Sequence, residues 1–356
     1  MRAALRCPRA ADWHGRIRAG DKVYVGMSGG VDSSVAAHLL RQRGADVEAV
    51  FMRNWDTRDE RGECPSERDW RDVQRVCAQL GIRCHQISLV KQYWNLVFAT
   101  ALDDFARGRT PNPDVLCNSQ IKFGVLLAEV ARRLPAAGAW FATGHYARTA
   151  PADCDGDDDS GGGGSAALLR GVDARKDQSY YLSAVAGTQL RRVLFPLGAL
   201  DKAADVRPAA RSAGLATAAK EESMGICFVG ERRRFDEFLA EYLPQRDGEI
   251  LSSDMRVIGR HRGLFTRTIG QAAGVPGMAG KWYIYAKDPA TNRMYAVPSR
   301  DHPLLRSKVV SAGPAHWVSG RGGIRAEFEN AQYGVASGQY LVLYAGDHCL
   351  GCAQIQ

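Results

Sequence analysis

The 356-residue chain has no apolar run approaching the roughly 20 residues that a membrane-spanning helix needs, which predicts a protein with no membrane partner. It also has no internal repeat. Its nine cysteines are odd in number and scattered, which argues against a secreted disulfide scaffold and favours a reducing compartment where one or two thiols carry chemistry. Hydrophobic residues make up 45% and charged residues 24%, a globular composition long enough for two or three domains.

Acidic residues are nearly absent from the first twenty positions, where Asp12 stands against five arginines. This composition predicts either an organellar transit peptide or a disordered basic tail over residues 1–20. Over the whole chain the formal net charge is +8. Such a surplus suits an acidic partner such as RNA, although a merely soluble basic protein fits it equally well.

Strand-like and helical segments alternate through the first half of the chain. Strands are predicted at 22–26, 46–52, 82–89 and 139–143, and helices through Leu40, over 69–80 and over 119–134. This alternation predicts an α/β fold with a doubly wound parallel sheet. Residues 151–165 are rich in acid and glycine and predict a flexible insertion. Beyond residue 201, helices are predicted at 206–213 and 235–242, strands at 255–261, 263–270 and 281–288, and β-structure over 306–356.

Residues 28–34, Ser-Gly-Gly-Val-Asp-Ser-Ser, join the first strand to the first helix. The glycines let the backbone approach an anion, and the helix N-terminus favours negative charge there. Ser28 and Ser33 add hydroxyl donors, and Asp32 can help hold Mg²⁺ beside phosphates. The loop has no lysine, so it is not a GxxxxGK[ST] P-loop, and it is not GxGxxG. An ordinary helix-capping turn is the alternative, but the loop resembles the PP-loop of enzymes that split ATP into AMP and pyrophosphate while adenylating a substrate.

Two cysteines have distinctive neighbours. Cys117 follows two prolines, in Thr-Pro-Asn-Pro-Asp-Val-Leu-Cys, and is predicted near a helix start, where the dipole favours a thiolate. Asp114, three residues earlier, is a candidate proton relay. Cys227 follows Gly225, which permits a sharp turn on a mobile loop. Each can instead be a packed structural cysteine. Together they suggest sulfur transfer, in which one thiol carries a persulfide and the other reduces it or forms a disulfide bond with it.

Motifs along the chain follow the order found in tRNA-specific 2-thiouridylases, and this resemblance runs from about residue 22 to the end. Such enzymes are sulfurtransferases that use ATP, Mg²⁺ and a persulfide, so the resemblance implies tRNA and a cysteine desulfurase or sulfur-relay protein as partners. The motifs are SGGVDSS, TPNPDVLCN with IKFG, ATGHYAR, KDQSYYL, ESMGICFVGERRRFDEFL, TIGQ and GQYLVLY.

The resemblance also implies roles for individual residues. Cys117 corresponds to the nucleophile, Cys227 to the persulfide-bearing cysteine, and Asp114 to the general acid or base. Asn112 and Pro113, with Asp114, are expected to receive the wobble uridine, which is unpaired in an anticodon loop and therefore costs little to extrude. The expected ATP-binding positions are Gly26, Met27, Ser28, Gly29, Gly30, Val31, Asp32, Ser33, Met52 and Gly144, and the expected tRNA-contacting positions are His145, Lys176, Asp177, Gln178 and Gln339.

Some positions depart from the family pattern. Ser119 and Gln120 replace an Arg-Glu pair, with an expected effect on a surface helix only. Ala272 and Ala273 replace basic residues of an expected RNA-facing strip. A segment between Trp317 and Gly322 is missing, which predicts a shortened C-terminal barrel. The Cys349-x-x-Cys352 pair is a weak zinc signal, and no metal site is predicted from it.

The predicted organisation has four parts: a basic extension (1–20), a PP-loop domain of the adenine nucleotide alpha hydrolase type (21–200), a small central domain carrying Cys227 (201–300) and a β-barrel that contacts tRNA (301–356). The predicted reaction is adenylation of the wobble uridine followed by persulfide sulfur transfer to C2. The alternatives are a tRNA-binding protein of the same fold with impaired catalysis and another PP-loop adenylating ligase. The ESMGICFVG variant resembles the organellar branch and predicts a mitochondrial location, with a bacterial-type cytoplasmic protein as the alternative.

Overall fold

The computed structural model describes residues 13–56, 64–151, 164–221, 235–314 and 323–356. The chain divides into two compact units, each made from three stretches. Unit 1 comprises Met1–Leu96, Asp114–Glu231 and Leu343–Leu350, and unit 2 comprises Val97–Pro113, Arg232–Val342 and Gly351–Gln356. Over the described ranges, no helix combines the length and the apolar character needed to cross a membrane.

Ten α-helical and fifteen β-strand segments occur in the described ranges. The helices are α1 (Val31–Gln42), α2 (Pro65–Leu80), α3 (Val90–Tyr93), α4 (Ala99–Ala106), α5 (Pro113–Leu116), α6 (Leu126–Arg133), α7 (Ser179–Leu182), α8 (Gly187–Leu190), α9 (Arg207–Ser212) and α10 (Phe235–Ala240). The strands are β1 (Lys22–Met27), β2 (Asp46–Arg53), β3 (Arg83–Ser88), β4 (Trp140–Thr143), β5 (Ala147–Pro151), β6 (Ala166–Arg170), β7 (Val193–Leu194), β8 (Gly248–Ser252), β9 (Val257–His261), β10 (Tyr283–Asp288), β11 (Arg293–Val297), β12 (Arg306–Pro314), β13 (Gly323–Tyr333), β14 (Tyr340–Ala345) and β15 (His348–Gln354).

A five-stranded parallel sheet, ordered β3-β2-β1-β4-β7, forms the centre of unit 1. The predicted parallel α/β sheet is therefore confirmed. The chain moves outward from β1 to β3 and then returns to the other side of β1 with β4. This reversal creates a switch point, where the carboxyl ends of β1 and β4 diverge and ligands bind in open α/β sheets.

The core of unit 1 explains why the first strands and helices form. β1 is buried along nearly its whole length, as expected for a central parallel strand covered on both faces. In α1, Val35, Ala36 and Leu40 are fully buried against this sheet. Trp13 and Ile17 are buried in the same core, although both fall within the predicted basic extension, residues 1–20. Because arginines dominate residues 1–20, these two apolar residues did not predict a packed segment.

Residues 201–221 also pack in unit 1. Val206, Ala210 and Leu215 belong to the hydrophobic cluster that α1 helps to form. They fall within the predicted central domain, residues 201–300, because the regular alternation of strands and helices ends near residue 201.

Unit 2 contains a four-stranded mixed sheet, ordered β10-β11-β8-β9, and the antiparallel pair β12-β13. The strand predicted over 263–270 is wrong, because Leu264–Thr266 form a short 3₁₀ turn, from which the Leu264 side chain enters the core. Ala273 is buried in this core with Ile284 and Met294, so it is not part of an exposed strip. The described elements of 306–356 are β-strands, as predicted, whereas the segment around Trp317 lies outside the described residues.

In unit 1, β5 and β6 are antiparallel, and Pro151 pairs with Ala166. The predicted insertion 151–165 therefore connects two adjacent strand ends. Its residues 152–163 lie outside the described residues.

Substituting Leu40→Ala removes a fully buried side chain from the face of α1 that packs on the sheet. We expect the free energy of unfolding to fall by about 2–5 kcal/mol, because the cavity adds to the lost burial. Val172 is 58% exposed in the same unit, so Val172→Ala, its matched control, is expected to change stability by less than about 0.5 kcal/mol. Chemical denaturation of both variants measures the difference, and equal effects would contradict this assignment of the core.

Candidate functional site

The loop after β1 is held by its own serine hydroxyls. Gly29 has φ +74°, a left-handed conformation that suits glycine. The Ser33 Oγ accepts from the Ser28 N–H at 3.1 Å and donates to the Gly30 carbonyl at 3.2 Å. Ser34 donates to the same carbonyl at 2.8 Å. The serine hydroxyls are used to hold the shape of the loop. Its main candidate hydrogen-bond donors to an anion are therefore the N–H groups in the first turn of α1, which lack acceptors within the helix.

Gly144 brings the end of β4 against this loop. A Cβ atom at Gly144 would lie 2.6 Å from the Ser33 nitrogen and 2.7 Å from the Asp32 carbonyl carbon. Real Cβ atoms do not approach backbone this closely, so a side chain at position 144 would push β4 and α1 apart. The switch point of the sheet therefore closes only with glycine at this position.

Asp32, in the first turn of α1, has a partner for each carboxylate oxygen. Tyr146 donates its hydroxyl to Oδ1 at 2.9 Å, and Lys202 donates from Nζ to Oδ2 at 2.9 Å. The Lys202 side chain is 10% exposed and the Asp32 side chain 30%. A nearly buried cation therefore lies at a loop whose own sequence contains none.

A second lysine fixes the loop from the α2 side. Lys220 donates to the Gly29 carbonyl at 3.0 Å, to Asp69 at 2.8 Å and to Asp72 at 2.7 Å. Burial opposes its charge, but the hydrogen bonds and charges of the two carboxylates outweigh burial and raise the pKa of Lys220. It is therefore a cation at neutral pH, and it ties the turn at Gly29 to α2.

The remaining predicted ATP-binding residues fall into two groups. Met27 and Val31 have buried side chains in the core of unit 1, so only their backbone groups are available to a nucleotide. Gly26 lies within β1, where a Cβ would meet Phe141 at 3.2 Å. Met52 is half-buried near the carboxyl end of β2, the strand next to β1.

Cys117 and Asp114 lie on one helical stretch that begins at Pro113. Their spacing of three residues places them on the same helical face. Cys117 is 1% exposed and begins a π-helical segment, Cys117–Val125. π-Helical turns are rare and are frequent at functional sites. In this conformation of the helix, the buried Cys117 side chain is not accessible from solvent.

Glycine and serine accommodate the unusual helix after Cys117. A Cβ at Gly124 would lie 3.0 Å from the Ser119 carbonyl oxygen, and Ser119 donates its hydroxyl to the Val115 carbonyl at 3.0 Å. Ser119 is buried, so the expectation that residues 119 and 120 alter only a surface helix is wrong for Ser119. Gln120 is exposed as expected.

His145 follows Gly144 and is surrounded by aromatic rings. Its ring centroid lies 5.9 Å from that of Phe123 and 6.0 Å from that of Phe195. Its Nδ1 is 2.7 Å from the Thr143 hydroxyl. Burial, aided by the positive charge of Lys122, holds the pKa of His145 well below its usual range. A neutral imidazole offers hydrogen bonds, not a charge, to an RNA partner.

Two of the predicted tRNA-contacting residues make internal hydrogen bonds. Gln178 accepts from the Tyr146 N–H at 3.0 Å and donates its own N–H to the Tyr146 carbonyl at 2.9 Å. Asp177 accepts from the Gly171 N–H and from Ser179. These contacts position Tyr146 and its neighbours. Lys176 is half-buried beside them.

Asn112 and Gln339, distant in sequence, meet in unit 2. Asn112 donates to the Gln339 Oε1 at 3.4 Å, and the Gln339 Nε2 donates to the Thr110 carbonyl at 2.8 Å. The Thr110 N–H in turn donates to the Ser337 carbonyl at 2.8 Å. The proline-rich segment before Pro113 is therefore held on the loop that carries Gln339.

Cys227 lies outside the described residues, as does the rest of its motif from residue 222 to 234. Within the described ranges, no group of three or more His, Cys, Asp or Glu side chains is arranged to hold a metal ion. Asp32 is the carboxylate of the loop, and Mg²⁺ commonly binds one or two carboxylates together with substrate phosphates. The loop fits that type of site.

Three family models match the chain in succession: tRNA methyl transferase HUP domain over residues 21–231, tRNA methyl transferase PRC-barrel domain over 236–298 and Aminomethyltransferase beta-barrel domain over 306–355. The tRNA-specific 2-thiouridylase MnmA of Marinobacter nauticus is 42% identical over 94% of this chain and 91% of its own length. Its counterpart from Chromohalobacter salexigens is 43% identical over 93% of this chain and 91% of its own length. The chain belongs to the tRNA-specific 2-thiouridylase family.

Membership in the 2-thiouridylase family confirms the predicted resemblance and the predicted order of an α/β nucleotide domain followed by β-rich domains. The relatives named above are bacterial, as is a third from Geobacillus kaustophilus, 41% identical over 93% of this chain and 93% of its own length. These relatives give no support to the mitochondrial interpretation. The predicted disulfide bond finds no support in these relatives either.

Sequence reasoning missed three residues that contact this loop: Tyr146, Lys202 and Lys220. Tyr146 belongs to the ATGHYAR motif, and Lys220 comes directly before the Cys227 motif, so both had a nearby signal. Lys202 had none, because 170 residues separate it from Asp32.

Substituting Gly144→Ala tests the closure of the loop. The added methyl collides with the backbone of Asp32 and Ser33, so we expect ATP affinity to fall by at least about tenfold, as equilibrium binding measures. Gly164→Ala, where a Cβ meets nothing within 4 Å, is the matched control and is expected to bind ATP normally. Unchanged ATP affinity in Gly144→Ala would show that the nucleotide does not use this junction.

Proposed function

We propose that this protein is a tRNA 2-thiouridylase that adenylates the wobble uridine with ATP and then replaces its C2 oxygen with sulfur. The observation that carries the proposal is the loop at the switch point, built from Gly29, Gly144 and the first turn of α1, in a chain whose relatives are named for this reaction. The backbone donors and the nearby Lys202 favour a phosphate group there.

In the first step, the uridine O2 attacks the α-phosphorus of ATP at this loop. The bond between the α-phosphorus and its bridging oxygen breaks, and pyrophosphate leaves with the electron pair. The former C2 oxygen now belongs to an AMP leaving group. Mg²⁺, when bound beside Asp32, supplies charge neutralisation for the phosphates.

In the second step, the terminal sulfur of a Cys227 persulfide attacks C2, and AMP leaves with the original oxygen. The Cys117 thiolate then attacks the Cys227 sulfur: the bond from Cys227 to the transferred sulfur breaks, a Cys117–Cys227 disulfide bond forms and 2-thiouridine is released. Asp114, on the same helical face as Cys117, accepts the proton of the Cys117 thiol. An external thiol reductant then regenerates the two cysteines. A cysteine desulfurase or relay protein supplies the persulfide sulfur.

The recognition of tRNA is assigned to Asn112, Pro113 and Asp114, which receive the uridine, and to Gln339, His145 and Lys176. The contact between Asn112 and Gln339 supports this grouping. Asp177 and Gln178 act by positioning the loop, since their side chains hold neighbouring backbone. With bacterial relatives, a bacterial-type cytoplasmic protein is the favoured cellular context.

The reaction is tested by mass spectrometry of tRNA nucleosides after incubation with ATP, Mg²⁺ and a persulfide donor. We expect an ATP-dependent product with sulfur in place of oxygen, reduced by at least about 100-fold in Cys227→Ala and in Cys117→Ala. Cys64→Ser is the control, because Cys64 caps α2 and serine is a preferred N-cap residue. A methylated product, or a sulfur product that persists in Cys227→Ala, would contradict the proposal.

Asp114→Asn removes the proposed proton relay while preserving its size. We expect the single-turnover rate of thiolation to fall by about 100-fold or more, with ATP binding unchanged. Asp103→Asn, at an exposed position, is the matched control, and an equal effect in both variants would remove Asp114 from the mechanism.

A further inference from the structure

We propose that Lys202 is the phosphate-binding lysine of this loop and that it exchanges Asp32 for a phosphate oxygen when nucleotide binds. P-loops of the GxxxxGK[ST] type carry a lysine that reaches the phosphates. Residues 27–34 contain no cation. In the folded chain Lys202 brings one there from the helix that follows Asp201. This inference rests on the proposed use of ATP and names a residue for that site.

The position of Lys202 is fixed by its backbone as well as by its charge. Its N–H donates to Asp173 at 3.2 Å, and the residue is 8% exposed. Asp201 begins the helix by accepting from the N–H groups of Ala203 and Ala204, each at 2.8 Å. A lysine held in this way needs little further ordering when it contacts a ligand.

The ion pair between Asp32 and Lys202 neutralises the charges of these two side chains at the loop. The Asp32 carboxylate and the Lys202 ammonium are 2.9 Å apart, and the Lys202 Nζ lies 5.7 Å from the centroid of the Tyr146 ring. A buried lysine without a partner would be costly, so Asp32 serves as its counterion until a phosphate replaces it.

Nucleotide binding rearranges these charges. Phosphate oxygens, like carboxylates, form charge-assisted hydrogen bonds with an ammonium, so a phosphate can replace Asp32 as the partner of Lys202 while Asp32 keeps its hydrogen bond from Tyr146. The released carboxylate oxygen of Asp32 would then be available to hold Mg²⁺ beside the phosphates. Asp32 and Lys202 thereby each have a partner both before and after nucleotide binds.

The alternative is that Lys202 only neutralises Asp32. The two roles separate in an Asp32→Asn background, where Lys202 no longer has the Asp32 charge to neutralise. Binding of pyrophosphate without Mg²⁺ is compared between Asp32→Asn and Asp32→Asn/Lys202→Met. We expect the double variant to bind pyrophosphate about 10- to 100-fold more weakly, the range of one charge-assisted hydrogen bond.

Equal pyrophosphate affinity in these two variants would overturn the proposal. Adenosine affinity is measured in the same samples and should be unchanged, since Lys202 contacts phosphate and not the nucleoside. The double variant removes both charges of the Asp32–Lys202 pair together, which protects its folding. The exposed Lys91→Met is the charge control and should bind pyrophosphate like the wild type.

The result also separates this inference from the proposed function. If the wild-type protein binds neither ATP nor pyrophosphate, the proposed function fails together with this inference. If the wild type binds both, and Lys202→Met changes pyrophosphate affinity no more than Lys91→Met, the inference alone is overturned.

Discussion

The candidate site depends on the contact between Gly144 and the backbone at Asp32 and Ser33. A parallel sheet whose strand order reverses between β1 and β4 leaves a crevice at their carboxyl ends. Here the backbone at Gly144 contacts the backbone at Asp32 and Ser33 across the crevice, because Gly144 has no side chain. That contact fixes the first turn of α1 and therefore the N–H groups that are candidate donors to an anion. The position of Tyr146, two residues further on, follows from the same constraint.

Charge completes what the backbone begins. The loop has no cation of its own, and two lysines from later in the chain supply positive charge on two sides. Lys220 holds the Gly29 carbonyl and is bound by Asp69 and Asp72, which makes it a permanent tie to α2. Lys202 is bound by the Asp32 carboxylate, which itself belongs to the loop. Lys220 is therefore structural in character, whereas Lys202 has a partner that a ligand can replace.

Local patterns in the sequence predicted the local parts of the structure. The parallel sheet, α1 and the loop follow from buried strands, turn residues and apolar spacing within short windows. The same windows hid the anchors Trp13 and Ile17 among arginines, and the turn at Leu264 had a strand-like composition. Lys202 and the pairing of Asn112 with Gln339 depend on contacts across 170 and 227 residues, which no local pattern contains.

The central claim is that ATP bound at this loop activates the uridine O2 as a leaving group. It is tested most directly with tRNA whose wobble uridine carries a heavy-oxygen isotope at C2, incubated with ATP and a persulfide donor. The account predicts that the isotope appears in the AMP released with each 2-thiouridine, because the C2 oxygen leaves on phosphorus. Isotope found in water or pyrophosphate, with unlabelled AMP, would contradict it.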